Sequence, residues 1–440
     1  MSDSTRQALP PPRTVHERQD VAPARVAGRR MKLLLYGINF APELTGIGKY
    51  TGEMAQWLAA QGHEVRVVTA PPYYPAWAVW PGYSGSRYHS ELWHGVEVMR
   101  APLWVPNHPT GLRRLLHLAS FAIASLPALL SQWRWRPDVV WVAAPAFACT
   151  PATLVLARLC GARAWLHVQD YEVDAAFELG LLKSKALRHC ICAAERWLMR
   201  RFDRVSTISQ RMLQLARAKG VDGARLKYLP NWVDVDAVRP LAGPSSYRAE
   251  LGIAADAVVC LYSGNMGAKQ GLEVLADLAR RLSHRPDVQF VYCGQGSGRE
   301  PLVQACAGLT NLHWLDLQPT ERLADLLGLA DIHLLPQRSD AADLVMPSKL
   351  TGMLSSGRPV VAGTRADTEL GQVVAQCGKL AAPDDGKSFA QAVEYLADQP
   401  ELRRDLGQRA RAWAEQNLAR DSVLRQFEAA LRECTSVIHS

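Results

Sequence analysis

Ile332-His333-Leu334-Leu335, then Met346-Pro347-Ser348-Lys349-Leu350, then Ser356-Gly357-Arg358-Pro359-Val360-Val361 is the stretch on which the fold turns. The first apolar run reads as a buried strand, and Pro-Ser-Lys opens a helix after it. Gly357 and Pro359 end that helix and lead into a second apolar strand, Val360–Ala362. Strand, helix, strand is the crossover unit of a parallel sheet. The first turn of a helix leaves N–H groups unpaired and partly positive, and Lys349 adds a full charge. Ser348 and Lys349 therefore suit an anion at the carboxyl edge of a parallel strand, where doubly wound folds bind nucleotides. A capped surface helix would look the same. A second site of this kind lies upstream at Tyr262-Ser263-Gly264-Asn265-Met266-Gly267-Ala268-Lys269-Gln270-Gly271. Two such sites make a diphosphate-bearing ligand the leading reading.

Outward from there the alternation of apolar runs and amphipathic helices covers the chain from Lys32 onward. In the first half the strand candidates are Leu33–Ile38, Glu64–Thr69, Val96–Arg100, Val139–Ala143, Ala164–Val168 and Val205–Ile208. Helices fill the intervals, for instance Lys49–Gln61 and Lys185–Arg201. The rhythm breaks near Tyr228 and resumes with Val258–Tyr262, Val288–Cys293, Leu312–Leu315, Ile332–Leu335 and Val360–Ala362. The pattern predicts an N-terminal domain over residues 31–228, a Pro- and Gly-bearing linker over 229–244 and a C-terminal domain over 245–400. A C-terminal helix over 401–440, strongest from Leu402 to Leu431, could pack back across the boundary. Residues 1–30 form a polar, Arg-rich tail broken by Pro10, Pro11 and Pro12, which reads as disordered and not as a secretory signal. Met31 stands directly before the first strand and is a second candidate start.

At 440 residues, 48% hydrophobic and 21% charged, the composition is that of an ordinary globular protein with room for two cores. A formal charge of +8 and a pI near 9.0 favour an anionic partner. No basic run interleaved with aromatics marks a nucleic-acid surface, so nucleotide or acidic lipid is the better reading. Nine cysteines without a CxxC pair fit buried thiols in a reducing compartment and argue against a zinc site. Leu115–Trp133 carries no formal charge and is flanked by Arg113, Arg114, Arg134 and Arg136. A membrane span, a buried helix and an interfacial helix all answer to that pattern. The span meets a topological objection, because Val139 would then be separated from the strands at Leu33 and Val65 that should share its sheet.

Three further motifs carry chemistry. Gly46 and Gly48, in Ala41-Pro42-Glu43-Leu44-Thr45-Gly46-Ile47-Gly48-Lys49, follow the first strand and would let backbone approach a ligand at a helix start. A plain turn is the alternative. His167 closes another strand and is followed by Asp170 and Glu172, which makes an active-site lip credible beside a structural histidine. Cys293-Gly294-Gln295-Gly296-Ser297-Gly298 approaches a dinucleotide fingerprint, with Asp316 downstream, yet Arg299 stands where the third glycine belongs. No Asp-x-Asp, Ser-His-Asp elbow or His/Asp metal cluster accompanies them, so no metal or cofactor is expected.

Together these blocks resemble the GT-B glycosyltransferases, specifically the retaining family-4 group and its colanic-acid biosynthesis members. The resemblance runs from Met31 to the carboxyl terminus. Its most specific blocks are Tyr36–Met54, Ala70-Pro71-Pro72-Tyr73-Tyr74-Pro75, His167–Asp174, Tyr262–Asn265 and Pro347–Leu350. It implies two Rossmann-like α/β domains facing across a cleft, the acceptor on the first and the nucleotide-sugar on the second. By position, Gly46 and Gly48 would lie near the donor diphosphate and acceptor, and His167, the catalytic candidate, would touch the donor sugar. Lys269 lies beside the family's phosphate-binding lysine. Asn265, Gly294 and Gly296 would meet the nucleotide and sugar, and Ser348 and Lys349 the diphosphate. The family's paired glutamates are missing: Leu344 and Gly352 occupy those places, and Asp343 and Asp340 are nearby substitutes. The implied activity is transfer of a hexose, with fucose suggested, from a nucleoside-diphosphate sugar to a polyprenyl-diphosphate-linked saccharide in exopolysaccharide assembly. That acceptor implies a cytoplasmic protein docked on the anionic inner face of the cell membrane. A nucleotide-sugar epimerase of the same fold and a non-catalytic nucleotide-binding subunit remain as alternatives.

Overall fold

The computed structural model describes residues 29–44, 46–107, 111–144, 147–171, 185–267, 270–339 and 346–436. Fourteen strands among them form two sheets. Those of the first are β1 (Lys32–Tyr36), β2 (Glu64–Thr69), β3 (His89–Trp93), β4 (Val96–Arg100), β5 (Val139–Ala144), β6 (Arg163–Val168), β7 (Arg204–Thr207) and β8 (Leu226–Tyr228). Their order is β3-β4-β2-β1-β5-β6-β7-β8. The second sheet holds β9 (Val258–Ser263), β10 (Val288–Cys293), β11 (Leu312–Leu315), β12 (Ile332–Leu335), β13 (Val360–Gly363) and β14 (Gly378–Ala381), in the order β11-β10-β9-β12-β13-β14. Its neighbouring strands all pair parallel. The order reverses between β9 and β12, and the crevice outside the carboxyl ends of those strands is where such sheets take ligands.

By compactness the chain divides into residues 1–142 with 148–162, and residues 143–147 with 163–440. In the first unit β1 pairs with β2 and β5, with Leu33 opposite both Val65 and Val139. These strands bury both faces, which is why they read as unbroken apolar runs. One strand departs from the parallel pattern: β3 is antiparallel to β4. His94 and Gly95 both take positive φ between them, the geometry of a two-residue hairpin turn.

The uncharged segment is not one continuous helix. It runs as Gly111–Ala124, then Leu126–Leu130, then a short turn Ser131–Arg134. Ser125, at the break, shares a 2.6 Å hydrogen bond with the Tyr36 hydroxyl. His117, Leu118 and Phe121 face inward, while Leu112 and Ile123 are about 70% exposed (71% and 69%) and Leu116 and Trp133 about half. Strands β4 and β5, on either side, belong to one sheet, so the segment leaves that sheet and returns to it. By length and composition Gly111–Arg134 could cross a membrane; its tethers to Tyr36 and to the strands make it a surface helix of this unit. The neighbouring helix Thr150–Cys160 adds exposed Val155 and Leu159.

In the second unit the expected single C-terminal helix over 401–440 is two, Pro400–Asn417 and Arg420–Ser436. Ala419, in the gap, bridges to Val233. The second helix then lies on β6–β8: Phe427 meets Trp165 edge-on at 5.1 Å, and Glu433 binds Arg204 and Lys227 at 3.1 and 2.9 Å. This packing draws β6–β8 into one compact unit with the second sheet. Residues 1–28 of the expected tail lie outside the described residues.

Candidate active site

At the carboxyl edge of the second sheet the loops after β9 and β10 pair with each other through their backbones. Gly264 N–H donates to the Cys293 carbonyl at 3.0 Å, Met266 N–H to Gln295 at 2.9 Å and Gly298 N–H to Met266 at 2.7 Å. Gly294 and Gly296 hold φ of +151° and +146°, and a Cβ on Gly294 would run into the Gly264 carbonyl oxygen. These glycines are needed because two backbones meet there. The Tyr262 hydroxyl donates to the Asn265 carbonyl at 2.7 Å. Lys349 Nζ donates to that hydroxyl at 3.2 Å and lies 4.3 Å from the ring centroid. The Lys349 stem passes Gly264, whose absent Cβ would stand 3.6 Å from Cδ. Among the described residues no carboxylate pairs with Lys349, and desolvation pulls its pKa down to about 7. A half-buried ammonium with only a phenol for company is a site that an anion would complete.

Ser348 precedes the helix Lys349–Ser355, is exposed, and its hydroxyl caps no N–H. Gly352 of that helix stands where the family carries a glutamate. Leu327 Cδ1 lies 3.0 Å from where its Cβ would be, so that space is filled by packing. Asp316, which the dinucleotide fingerprint would put on a ribose, pairs instead with Arg299 at 3.0 Å.

The carboxyl edge of the first sheet, in the other unit, is held by side chains. Glu43 is buried; its Oε1 accepts the Tyr73 and Tyr74 N–H groups at 3.0 and 2.9 Å, and Oε2 accepts Asn39 Nδ2 at 2.9 Å. Burial pushes its pKa up, against the pull of those donors and of Arg100. Arg100, also buried, donates to the Ala70 and Ala41 carbonyls at 2.9 and 2.7 Å and to Glu91 at 2.7 Å. The pair ties the loops after β1 and β2 together. A Cβ on Gly48 would stand 2.6 Å from Glu43 Oε2, so this glycine admits the buried carboxylate. Gly46, at φ +60°, has open space where its Cβ would be.

His167 ends β6, fully buried. Gln169 Nε2 lies 3.1 Å from both Asn231 Oδ1 and His167 Nε2, and His167 Nδ1 lies 2.9 Å from Ser206 Oγ. The Gln169 amide can only donate, which assigns Nε2 as acceptor and Nδ1 as the N–H donor. Trp165 Nε1 donates to the same serine at 2.9 Å. Burial lowers the His167 pKa to about 3, so the ring is neutral at ordinary pH.

A cavity of about 270 Å³ opens in the second unit, lined in part by Ser209, Arg211, Met346, Thr368 and Glu369. The Glu369 carboxylate accepts the Gln210 and Arg211 N–H groups at 3.0 and 2.9 Å, at the start of the helix Gln210–Ala218. Met346 carries this wall to within two residues of Ser348.

The structure thus gathers Asn265, Gly294, Gly296 and Lys349, with Ser348 adjoining, at one edge. Gly46 and Gly48 sit in the Glu43 loop, and His167 in its own network. Lys269 and Asp343 lie outside the described residues, as do Leu344 and Asp340. Glu43, Arg100 and Glu369 had no sequence signal of their own, and Tyr262 stood in a quoted block without a role. Only the Gly48 spacing and the Tyr-Tyr-Pro block pointed to the loops that the first two hold.

Residues 45–232 match the glycosyl transferase 4-like domain and residues 257–399 the glycosyl transferases group 1 model. The chain is 44% identical over 404 residues to an Escherichia coli (strain K12) protein that carries the name colanic acid biosynthesis glycosyl transferase WcaI. That match covers 90% of this chain and 98% of the relative. Among solved structures, sucrose-phosphate synthase from Thermosynechococcus elongatus superposes with a TM-score of 0.73 at 17% identity, covering 93% of this chain and all (100%) of that one. HepE from Anabaena, solved with UDP and glucose, gives 0.67 at 14%, with 92% and 100% covered. At such identities the structures speak for the fold, two parallel α/β domains of the GT-B kind.

Proposed function

Since the chain belongs to the glycosyl transferase family of these 4-like and group 1 domains, it is a glycosyltransferase, and we propose that it moves a hexose from a nucleoside-diphosphate sugar to a polyprenyl-diphosphate-linked saccharide. The observation that carries the donor half is Lys349, half-buried over Tyr262 with no carboxylate beside it among the described residues, at the switch point of the second sheet. The departing nucleoside diphosphate gains negative charge in the transition state, and a preorganised cation there stabilises it without a metal. Lys349, Ser348 and Lys269 take the diphosphate, and Asn265, Gly294, Gly296 and Asp343 border the nucleotide and sugar. His167, neutral and fixed by Ser206 and Gln169, contacts the donor sugar from the end of its strand. Metal independence, retention of anomeric configuration and fucose as the sugar belong to the same proposal. Its product is an exopolysaccharide of the colanic-acid type, by likeness to the E. coli relative.

The acceptor half rests on the outward face of Gly111–Arg134. A lipid-linked acceptor presents its reactive end at the bilayer surface, so the first unit docks there. Exposed Leu112, Leu116, Ile123 and Trp133, beside exposed Arg113, Arg114, Arg134 and Arg136, suit an anionic bilayer on the cytoplasmic side. Labelled donor supplied with a lipid-linked acceptor tests the reaction: transfer supports it, whereas donor altered without acceptor, or bound without turnover, overturns it. Sedimentation with anionic liposomes tests the docking. The chain should bind at low salt and release at high salt, and Gln at all four arginines should cut binding, each charge contributing about 1 kcal/mol. Equal binding by the quadruple variant would sink the docking proposal.

A further inference from the structure

The loop after β2, Ala70 to Tyr83, contains Tyr73, Tyr74, Trp77, Trp80 and Tyr83, and the reaction proposed above gives these aromatics no role. Its ends are pinned by Glu43 and Arg100, and its turns by Ala78 N–H to the Tyr73 carbonyl at 3.3 Å and Trp80 N–H to Pro72 at 3.0 Å. Within it Trp77 adopts φ +53°, a left-handed conformation in which a bulky side chain is a genuine outlier. A buried ring could offset that strain through packing, but Trp77 is only half-buried. Behind it stand two fully buried rings. Tyr73 meets it edge-on at 5.6 Å and His117 lies 5.3 Å away, while Tyr73 and His117 are 4.8 Å apart. His117 Nδ1 donates to the Trp104 carbonyl at 2.7 Å, and its buried Nε2 has no hydrogen-bond partner among the described residues. Backbone strain and an unmatched polar atom are thus concentrated at one point of the sheet's carboxyl edge. Costs of this kind persist where surrounding structure enforces them, and they cluster at sites that bind.

We propose that Trp77 is the platform on which a pyranose ring of the acceptor stacks, held from behind by Tyr73 and His117 and from below by the Glu43 clamp. The apolar C–H face of a pyranose matches a rigid indole that has few rotamers left to lose. Arg100, the buried cation beneath this loop, is already committed to Glu91 and two carbonyls and is not free to hold a phosphate. The assignment rests on the glycosyltransferase reading and deepens it by naming a residue that selects the acceptor.

Titrated saturation-transfer NMR of the full chain with methyl glucopyranoside, galactopyranoside and fucopyranoside tests it. At least one should receive saturation at its ring protons. Trp77→Gly should weaken that binding about tenfold, the loss of roughly one aromatic stacking contact, and Trp77→Phe should retain most of it. Glycine relieves the positive φ, so the melting temperature of Trp77→Gly should hold or rise. Unchanged binding in the glycine variant, no saturation transfer from any of the three sugars, or a steep fall in melting temperature would each overturn the platform. A thermal-shift screen of UDP, GDP and ADP, run on the parent and Trp77→Gly, keeps the two ideas apart. Failure of all three nucleotides to stabilise either protein counts against the donor reading and leaves the pyranoside result to stand or fall alone.

Discussion

The two carboxyl edges of this molecule solve the same problem in opposite ways. At the edge of the first sheet the buried charges are matched: Glu43 takes three donors, and Arg100 two carbonyls and a carboxylate. At the edge of the second, the loops are joined through their backbones, and among the described residues a lysine is left half-desolvated without a counter-charge. A buried polar network that is fully satisfied rigidifies what it holds. A charge left unmatched stores an interaction for something that arrives later. The first edge therefore reads as a fixed frame for its loops, and the second as an electrostatic vacancy shaped for an anion.

The largest effect that can break this comparison is on the first edge. Glu43→Ala strands the Tyr73 and Tyr74 N–H groups and the Asn39 amide, a cost of about 1–3 kcal/mol for each buried donor left unsatisfied. Urea unfolding should show a loss of that size. Glu43→Gln keeps an oxygen for the two N–H groups and should lose far less. Equal losses in both variants would mean that shape, and not hydrogen bonding, holds the loops.

How much of this was readable beforehand follows from where the information sits. Strands buried on both faces, such as Val139–Ala144 and Val258–Ser263, announce themselves as apolar runs. The edge strands β3, β8 and β14 carry His, Glu or Lys and lie at or next to solvent, so their sequences look like loop. The turn joining β3 to β4 is His-Gly, a weaker hairpin signal than Asn-Gly. Lys349, Ser348, Gly294 and Gly296 were legible because a strand, a short loop and a helix start fix their place locally. Glu43 and Arg100 were not, since their partnership spans two strands and nothing in Ala-Pro-Glu says that the acid is buried. Trp77 shows the same limit, because a strained φ depends on the loop ends and leaves no mark in composition.

The second edge gives a sharper test, with stability and function expected to move in opposite directions. The pKa of Lys349 falls from its ordinary 10.5 to about 7 on folding. Between those values the unfolded chain holds a proton that the folded chain has lost, so stability rises with pH across that window; below about 7 the charged, desolvated lysine costs most. Lys349→Met removes this cost and should raise the melting temperature by about two degrees at pH 6.5. The same change should lower kcat/KM at least tenfold, the loss of about one charge-assisted hydrogen bond. Binding of a nucleoside diphosphate at pH 8.5 should take up close to one proton, because the anion restores the ammonium. Calorimetric titration in two buffers of different ionisation heat measures that uptake, and an unchanged value in Lys349→Met would assign the proton elsewhere.

The smallest effect separates a matched group from an unmatched one by acid alone. His167 lies in a satisfied network and His333 is bonded to Ser356 at 2.9 Å; burial lowers the pKa of each to about 3. From pH 6.5 down to about 3 the unfolded chain binds a proton at each histidine and the folded chain binds none. Stability therefore falls as the pH falls through that window, by about 1.4 kcal/mol per unit per histidine, and neither contributes above 6.5. His167→Asn should flatten the acid limb of a urea-denaturation series by one proton, and His333→Asn by another. The activity profile should behave differently: its limb near pH 7 belongs to Lys349, and His167→Asn should lower turnover by a similar factor at every pH without shifting that limb. A limb near pH 7 that moves with His167 and stays put in Lys349→Met would reverse the assignment, making the first sheet's histidine the titrating group and the second edge the matched one.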